Sequence, residues 1–197
     1  MNIHEYCKNL PLVIAETIQP WEVTSQITAL IEQSIDLLSS EYSIKDGIAI
    51  HQSAIIEPTA QIKSPAIIGA RCFIGSHTLI RGGVILGDNV SIGPGCEIKS
   101  SILCTNTSLG HFNFVGDSVL GSNVNFEAGA ITANYHNDRD DKTVYIVASG
   151  IRTAISENKF GALIGDGSKI GANAVTCPGT ILRPNSIVDR LQLVRQD

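Results

Sequence analysis

Aromatic side chains make up only 5% of the 197 residues, with a single Trp and a single Met. A core so poor in rings has to be assembled from Ile, Val, Leu and Ala. Basic residues are outnumbered too, 14 Lys and Arg against 19 Asp and Glu, for a net charge of −5. That excludes the broad basic stripe of a nucleic-acid surface, while local cationic clusters for a small anion remain open. No run approaches the roughly 18 apolar residues of a membrane helix. The opening stretch, MNIHEYCKNLPLVIAETIQPWE, lacks both the basic start and the apolar run of a signal peptide. The five cysteines (Cys7, Cys72, Cys96, Cys104 and Cys177) are odd in number and form no C-x-x-C pair. That spacing fits neither a disulfide framework nor a zinc site. We expect a soluble, reduced, cytoplasmic protein with no nucleic-acid and no membrane partner.

What the chain does have is a period of six. From Ile50 it reads IHQSAI, IEPTAQ, IKSPAI, IGARCF, IGSHTL, IRGGVI, LGDNVS, IGPGCE. The leading position holds Ile50, Ile56, Ile62, Ile68, Ile74, Ile80, Leu86 and Ile92. Four residues later stand Ala54, Ala60, Ala66, Cys72, Thr78, Val84, Val90 and Cys96, all small or β-branched. Two five-residue steps follow, IKSSI and VGDSV, and the leading position continues through Leu103, Leu109, Val115, Leu120, Phe126 and Thr132. The hexads resume at Ile164, Ile170, Thr176 and Leu182. A helix repeats its apolar residues every three to four positions and a half-buried strand every two, so neither explains the pattern. A short strand and a corner, repeated three times around a triangular coil, does. Eighteen residues then make one turn, stacked at about 4.8 Å on the next. The pattern predicts a hexapeptide-repeat parallel β-helix over residues 49–197.

Residues 1–48 differ in kind. Val23, Ile27, Leu30, Ile31, Ile35 and Leu38 fall at helical spacing after Pro20, which predicts a short helical segment. Its expected role is a cap or an oligomer-stabilising arm, because a solenoid end needs covering. Between about 133 and 162 the hexads vanish. A polar loop and a hairpin, Thr143–Ala148 with Ile151–Ser156 around Ser149-Gly150, are expected there. So long an excursion from a compact repeat points to function.

Solenoid geometry converts sequence separation into position. Arg81 and Lys99 each follow a leading aliphatic and stand 18 residues apart, so they should stack one coil apart on one face. Like charges about 5 Å apart repel unless an anion lies between them. A phosphate would satisfy both, with the guanidinium offering a fork; two solvated surface charges are the alternative. Among the five histidines, His111 stands out, because it lies where the hexads shorten and Asn113, Asn123, Asn125 and Asn134 gather. Imidazole is the natural proton acceptor near neutral pH.

Specific segments carry a resemblance: IRGG from Ile80, EIKSS from Glu97, then GHFNFVGD, GSNVNFEAGAITANY and NKFGALIGD. Over roughly residues 50–190 the chain is similar to the acetyltransferase domain of the bifunctional glucosamine-1-phosphate acetyltransferase / N-acetylglucosamine-1-phosphate uridyltransferase, archaeal-type sugar-1-phosphate versions included. The resemblance implies a left-handed β-helix, a homotrimer with sites between subunits, and N-acetyl transfer from acetyl-CoA to an amino sugar 1-phosphate without a metal. It implies His111 as general base, Glu97 as the carboxylate orienting it, and Arg81 and Lys99 as the phosphate-binding pair. Asn125 would contact the sugar phosphate, and Asn134 and Tyr135 would sit where amino sugar and acyl-CoA meet.

Two positions depart from the pattern. A family tyrosine in the substrate site is Phe114, which loses a hydroxyl contact, and a loop lysine is replaced by Asp140. Lys142, Arg139 or Lys159 is a candidate substitute, Lys159 on the cofactor side. These losses favour the competing expectation of a non-catalytic sugar-phosphate-binding or scaffold module. Nothing in the sequence resembles a nucleotidylyltransferase domain. A zinc hydratase on the same fold is disfavoured, since His77 and His111 would lie two coils, about 9–10 Å, apart, too far to share a zinc at about 2 Å per bond.

Overall fold

The computed structural model, which describes residues 1–148 and 150–196, is a left-handed parallel β-helix with three flat walls. Wall I stacks Ile48–His51, Ala66–Ile68, residues 84–86 and 101–103, Val119–Leu120, Ala162–Ile164 and Thr180–Leu182. Wall II is a seven-stranded sheet running from Ile55–Ile56 through Ser108–Leu109 and Asn125–Phe126 to Ile187–Val188. Wall III stacks Gln61–Ile62, residues 79–81 and 97–99, Phe114–Gly116, Ile131–Thr132, Val175–Thr176 and Leu193–Val194. All these pairings are parallel.

The leading aliphatics point into the prism, and Ile68, Ile74, Ile80, Ile92, Ile98, Leu103, Val115 and Leu120 are fully buried. With Ala66, Cys72, Val84, Val90 and Cys96 they form one continuous core. Each buried aliphatic stabilises the coil by about 1.5–3 kcal/mol. Corners need a left-handed residue, and the I–II corner fills that need with Asn89, Asn106, Asn123 and Asn185, at φ of 56° to 62°. Asn visits this region at low cost.

The five-residue steps also have a structural reading. Arg81 pairs with Lys99, but Val84 pairs with Ser101, so one residue is lost at the III–I corner. Two glycines, Gly82 and Gly83, turn that corner in one coil, and Ser100 alone turns it in the next. Gly83 is also forced by a neighbour. At φ +86°, an added Cβ would lie 2.6 Å from the Ile27 side chain.

That neighbour is the N-terminal segment. It forms two helices, Pro20–Ser25 and Ile27–Ile35, with a break at Gln26. Pro20 opens the first helix, where the Glu22 carboxylate accepts the Gln19 N–H at 2.8 Å. Rather than sitting over an end of the prism, the helices lie along wall I. Ile27, Ile31 and Ile35 belong to one buried cluster with the outward column Ile67, Ile85, Ile102, Val119, Leu163 and Ile181, and the second helix touches the Ala66–Ile68, 84–86 and 101–103 end of that wall. Strand Tyr42–Lys45 then folds back antiparallel on Ile48–His51 and occupies the free edge of the first coil.

The excursion leaves wall III after Thr132 and rejoins wall I at Ala162, so it springs from the III–I corner. Its base is stitched to the coil below. Gly161 N–H donates to the Asp117 carbonyl at 2.9 Å, and Ala162 N–H to Ser118 Oγ at 3.0 Å. Tyr145–Ala148 pairs antiparallel with Ile151–Ala154; Ser149, expected in the turn, lies outside the described residues.

Candidate active site

Wall III and its two corners carry most of the residues singled out from the sequence. The register runs Leu79, Glu97, Phe114, Ile131 along one outward row and Arg81, Lys99, Gly116 along another. Arg81 and Lys99 are therefore adjacent, one coil apart. The repulsion between them does not depend on a bound anion, because each cation has a carboxylate of its own. Arg81 Nη2 and Nε lie 2.6 and 2.7 Å from Glu97 Oε1. Lys99 Nζ lies 2.7 and 3.0 Å from the two oxygens of Asp117.

Glu97, expected beside the imidazole, is engaged by Arg81 instead. It stands one row from that guanidinium on the same face, so the nearest charge takes it. Asp117 was not anticipated. Its side chain is only 10% exposed and that of Lys99 18%, so this pair is far better shielded from solvent than Arg81–Glu97, at 39% and 34%. Asp117 also accepts a short hydrogen bond from Asn134 Nδ2. One carboxylate thus joins the cation row to the first residues of the excursion. The signal was available: Asp117 is 18 residues beyond Lys99, the same coil spacing that aligned Arg81 with Lys99.

Gly116 stands in the cation row and keeps that place open. A Cβ there would lie 2.7 Å from both Asn134 Nδ2 and Phe114 Cζ. The Phe114 ring and the Asn134 amide thus close over the strand beside Lys99. Tyr135 follows, with Lys142 Nζ 5.0 Å and Lys159 Nζ 5.8 Å from its ring centroid. Both lysines are thus drawn to the tyrosine, as cations are to a ring face. Lys142 Nζ also donates to the Arg139 carbonyl at 2.5 Å.

His111 sits at the other edge of wall III, at the II–III corner. Its carbonyl accepts from Gly129 N–H at 2.8 Å. The residue is exposed, and among the described residues nothing hydrogen-bonds its imidazole. A strand of about three residues, about 10 Å, separates this corner from the Arg81–Lys99 row. Asn125 lies beyond it on wall II, exposed, between Ser108 and Lys169 in register. Within one chain, then, Arg81, Lys99, Glu97, Phe114 and Asn134 are brought together, while His111 and Asn125 flank the neighbouring corner.

The cluster of asparagines divides by role. Asn113 is buried, its Nδ2 donating to the carbonyls of Glu127 at 2.7 Å and Ala130 at 3.3 Å, and Asn123 turns a corner. Only Asn125 and Asn134 remain for other work. Among the described residues, no group of three or more His, Cys, Asp or Glu could hold a metal ion, and no helix is long and apolar enough to cross a membrane.

A model described as the hexapeptide repeat of succinyl-transferase matches residues 161–189, and one described as the GMPPB C-terminal domain matches 44–136. With the fold above, these define the class: a left-handed β-helix of hexapeptide repeats. Within that class it is similar to the bifunctional protein GlmU of Methanococcus vannielii, 34% identical over 185 residues that cover 91% of this chain and 44% of the relative. It is also similar to the bifunctional sugar-1-phosphate nucleotidylyltransferase/acetyltransferase of Sulfurisphaera tokodaii, 32% identical over 160 residues, 75% of this chain and 39% of the relative. The chain thus spans less than half the length of these curated relatives. A hexapeptide transferase family protein from Anaplasma phagocytophilum aligns with a TM-score of 0.44 at 18% identity, covering 75% of this chain and 74% of that one.

Proposed function

We propose that the chain is an acyl-CoA-dependent N-acetyltransferase acting on an amino sugar 1-phosphate of the glucosamine-1-phosphate type. The observation that carries this reading is the stacked Arg81–Lys99 row, roofed by Asn134 and Phe114, on the wall whose other edge bears an exposed imidazole. In this reading the two cations hold the sugar phosphate, and Asn125 contributes from the adjoining wall. His111 takes a proton from the amine as its nitrogen attacks the thioester carbonyl. The C–N bond forms, the C–S bond breaks, and the thiolate leaves to be protonated. Asn134 orients amine and acyl group, Tyr135 and Lys159 border the donor, and Glu97 acts on the site through Arg81. Fixing the phosphate supplies orientation, which is worth much of the barrier in two-substrate transfer. The transfer needs no metal. Because the prism is filled with side chains, the reaction runs on its outside. A homotrimer, in which a second subunit closes over the exposed imidazole corner, brings His111 and the cation row of two chains to one cleft. The setting is cytoplasmic, where acetyl-CoA is made.

The direct test is release of free thiol from acetyl-CoA on addition of glucosamine 1-phosphate. Turnover that depends on the amino sugar supports the reading. A second reading, a sugar-phosphate-binding module without chemistry, is favoured by the internal neutralisation of both cations and by Phe114. Saturable binding of the sugar phosphate with no thiol release would select it.

A further inference from the structure

The buried cysteines fall into two groups. Cys72 and Cys96 point into the prism and belong to its core. Cys7 and Cys104 lie outside the prism, in the separate apolar layer between wall I and the N-terminal segment. Their two thiols are within hydrogen-bond reach of each other. A bond between them closes a loop of roughly 100 residues, long enough to restrict the unfolded chain strongly.

Both thiols are placed by the fold. Extending the wall I register by one residue sets Gly69, Gly87, Cys104, Gly121 and Gly165 in one column. A Cβ at any of the four glycines would come within 3.0 Å of another atom. Cys104 alone carries a side chain in that stretch of the column, and it meets Cys7. Cys7 is fastened from either side. Asp166 N–H donates to the Tyr6 carbonyl at 2.8 Å, and Lys8 N–H donates to Asp166 Oδ2 at 3.1 Å. Asp166 is held in turn, its Oδ1 accepting from Ser122 N–H at 2.7 Å. The Cys7 thiol itself donates to the Ile164 carbonyl at 3.8 Å.

We propose that Cys7 and Cys104 form a redox modification site, a dithiol that closes to an intrachain disulfide and latches the N-terminal segment to the solenoid. The co-reactant is a low-molecular-weight disulfide such as oxidised glutathione. One protein thiol, deprotonated, attacks it and expels a glutathione thiolate; the second attacks the mixed disulfide and expels the other. Two S–H bonds are lost, one S–S bond forms in the protein, and the two glutathione thiols carry away the electrons and protons. Where glutathione is mostly reduced the pair stays open, so the latch follows the redox poise. Burial shields both thiols while the segment is docked. Exchange therefore waits for the first ten residues to lift from wall I, and runs over hours rather than within a brief alkylation. The latched segment also reaches toward the candidate site. Trp21 packs edge-on against Phe160, ring centroids 6.0 Å apart, and Phe160 N–H donates to the Asn134 carbonyl at 3.2 Å. None of this depends on the transferase reading.

The test incubates the full chain overnight with oxidised glutathione at neutral pH. Free thiols are then blocked with N-ethylmaleimide in denaturant, and the digest is mapped by mass spectrometry. A linked Cys7–Cys104 peptide, lost on adding dithiothreitol, is expected, with Cys72 and Cys96 recovered as blocked thiols. Amide exchange in residues 3–10 should slow about tenfold or more in the oxidised form and recover on reduction. Cys104→Ala, its fold verified by circular dichroism, should show neither the peptide nor the slowing, and Cys177→Ser should show both. Cys7→Ala, which alters only the short N-terminal segment, serves the same purpose if Cys104→Ala does not fold. The proposal is overturned if both thiols stay free, if they end as mixed disulfides or paired elsewhere, or if the linked protein exchanges as fast as the reduced one.

Discussion

At the scale of single residues, Asp117 organises more than any other side chain near the candidate site. Its carboxylate holds Lys99 Nζ through both oxygens and receives Asn134, while its backbone carbonyl anchors the return of the excursion at Gly161. Removing one partner of a well-shielded pair leaves the other charge buried. Asp117→Ala is expected to cost about 3 kcal/mol in urea unfolding and to raise the KM for the sugar phosphate. Arg190→Ala, which breaks an exposed pair with Glu127, should change the midpoint little. The thiols give a second check. Burial pushes Cys72 up to about 11, and Cys7, Cys96 and Cys104 are buried as well. Alkylation needs the reagent to reach the sulfur, so iodoacetamide at pH 8 should leave these four buried thiols unmodified until denaturant is added. His136 works in the opposite sense. Burial, then the Arg139 charge, holds it below its ordinary value, so the folded loop prefers the neutral ring. Its contribution is complete above the unfolded value near 6.5 and fades as pH falls through the lowered folded value. Amide exchange in residues 135–145 should therefore accelerate below about pH 6; exchange there that is independent of pH after intrinsic-rate correction would contradict this.

At the scale of elements, the hexads were legible because inward and outward positions differ in chemistry every six residues, and a prism has no other way to bury them. The corner of Gly82 and Gly83 was not legible. Its second glycine answers to Ile27, more than fifty positions earlier in the chain, and no local pattern carries such a contact. For the same reason a helical segment after Pro20 could be read from spacing, while its docking along wall I could not. The glycine gives a test: Gly83→Ala combines a left-handed φ with a Cβ 2.6 Å from Ile27 and should cost about 1–3 kcal/mol. The loss should be smaller in an Ile27→Ala background. The ion pairs of Glu97 and Asp117 were missed because the cations were aligned by coil arithmetic and the acids were not, although the same 16- to 18-residue spacing finds both.

At the scale of the whole molecule, the three walls have two fates. Wall I is covered by the chain's own helices, whereas walls II and III present the candidate residues to the outside. Phe112, 73% exposed at the His111 corner, and Leu193, 48% exposed on wall III, lie where the proposed neighbouring subunits would meet. Light scattering is expected to give three times the 21.0 kDa chain mass, and Phe112→Asp should shift the particle toward the monomer. The proposed transfer turns on whether the corner imidazole does chemistry. The decisive measurement is thiol release by His111→Ala at saturating acetyl-CoA and glucosamine 1-phosphate, beside a circular dichroism melt. A fall in turnover of about 10² to 10⁴ with an unchanged melt is expected of a lost general base. Turnover equal to that of the unaltered protein would contradict it.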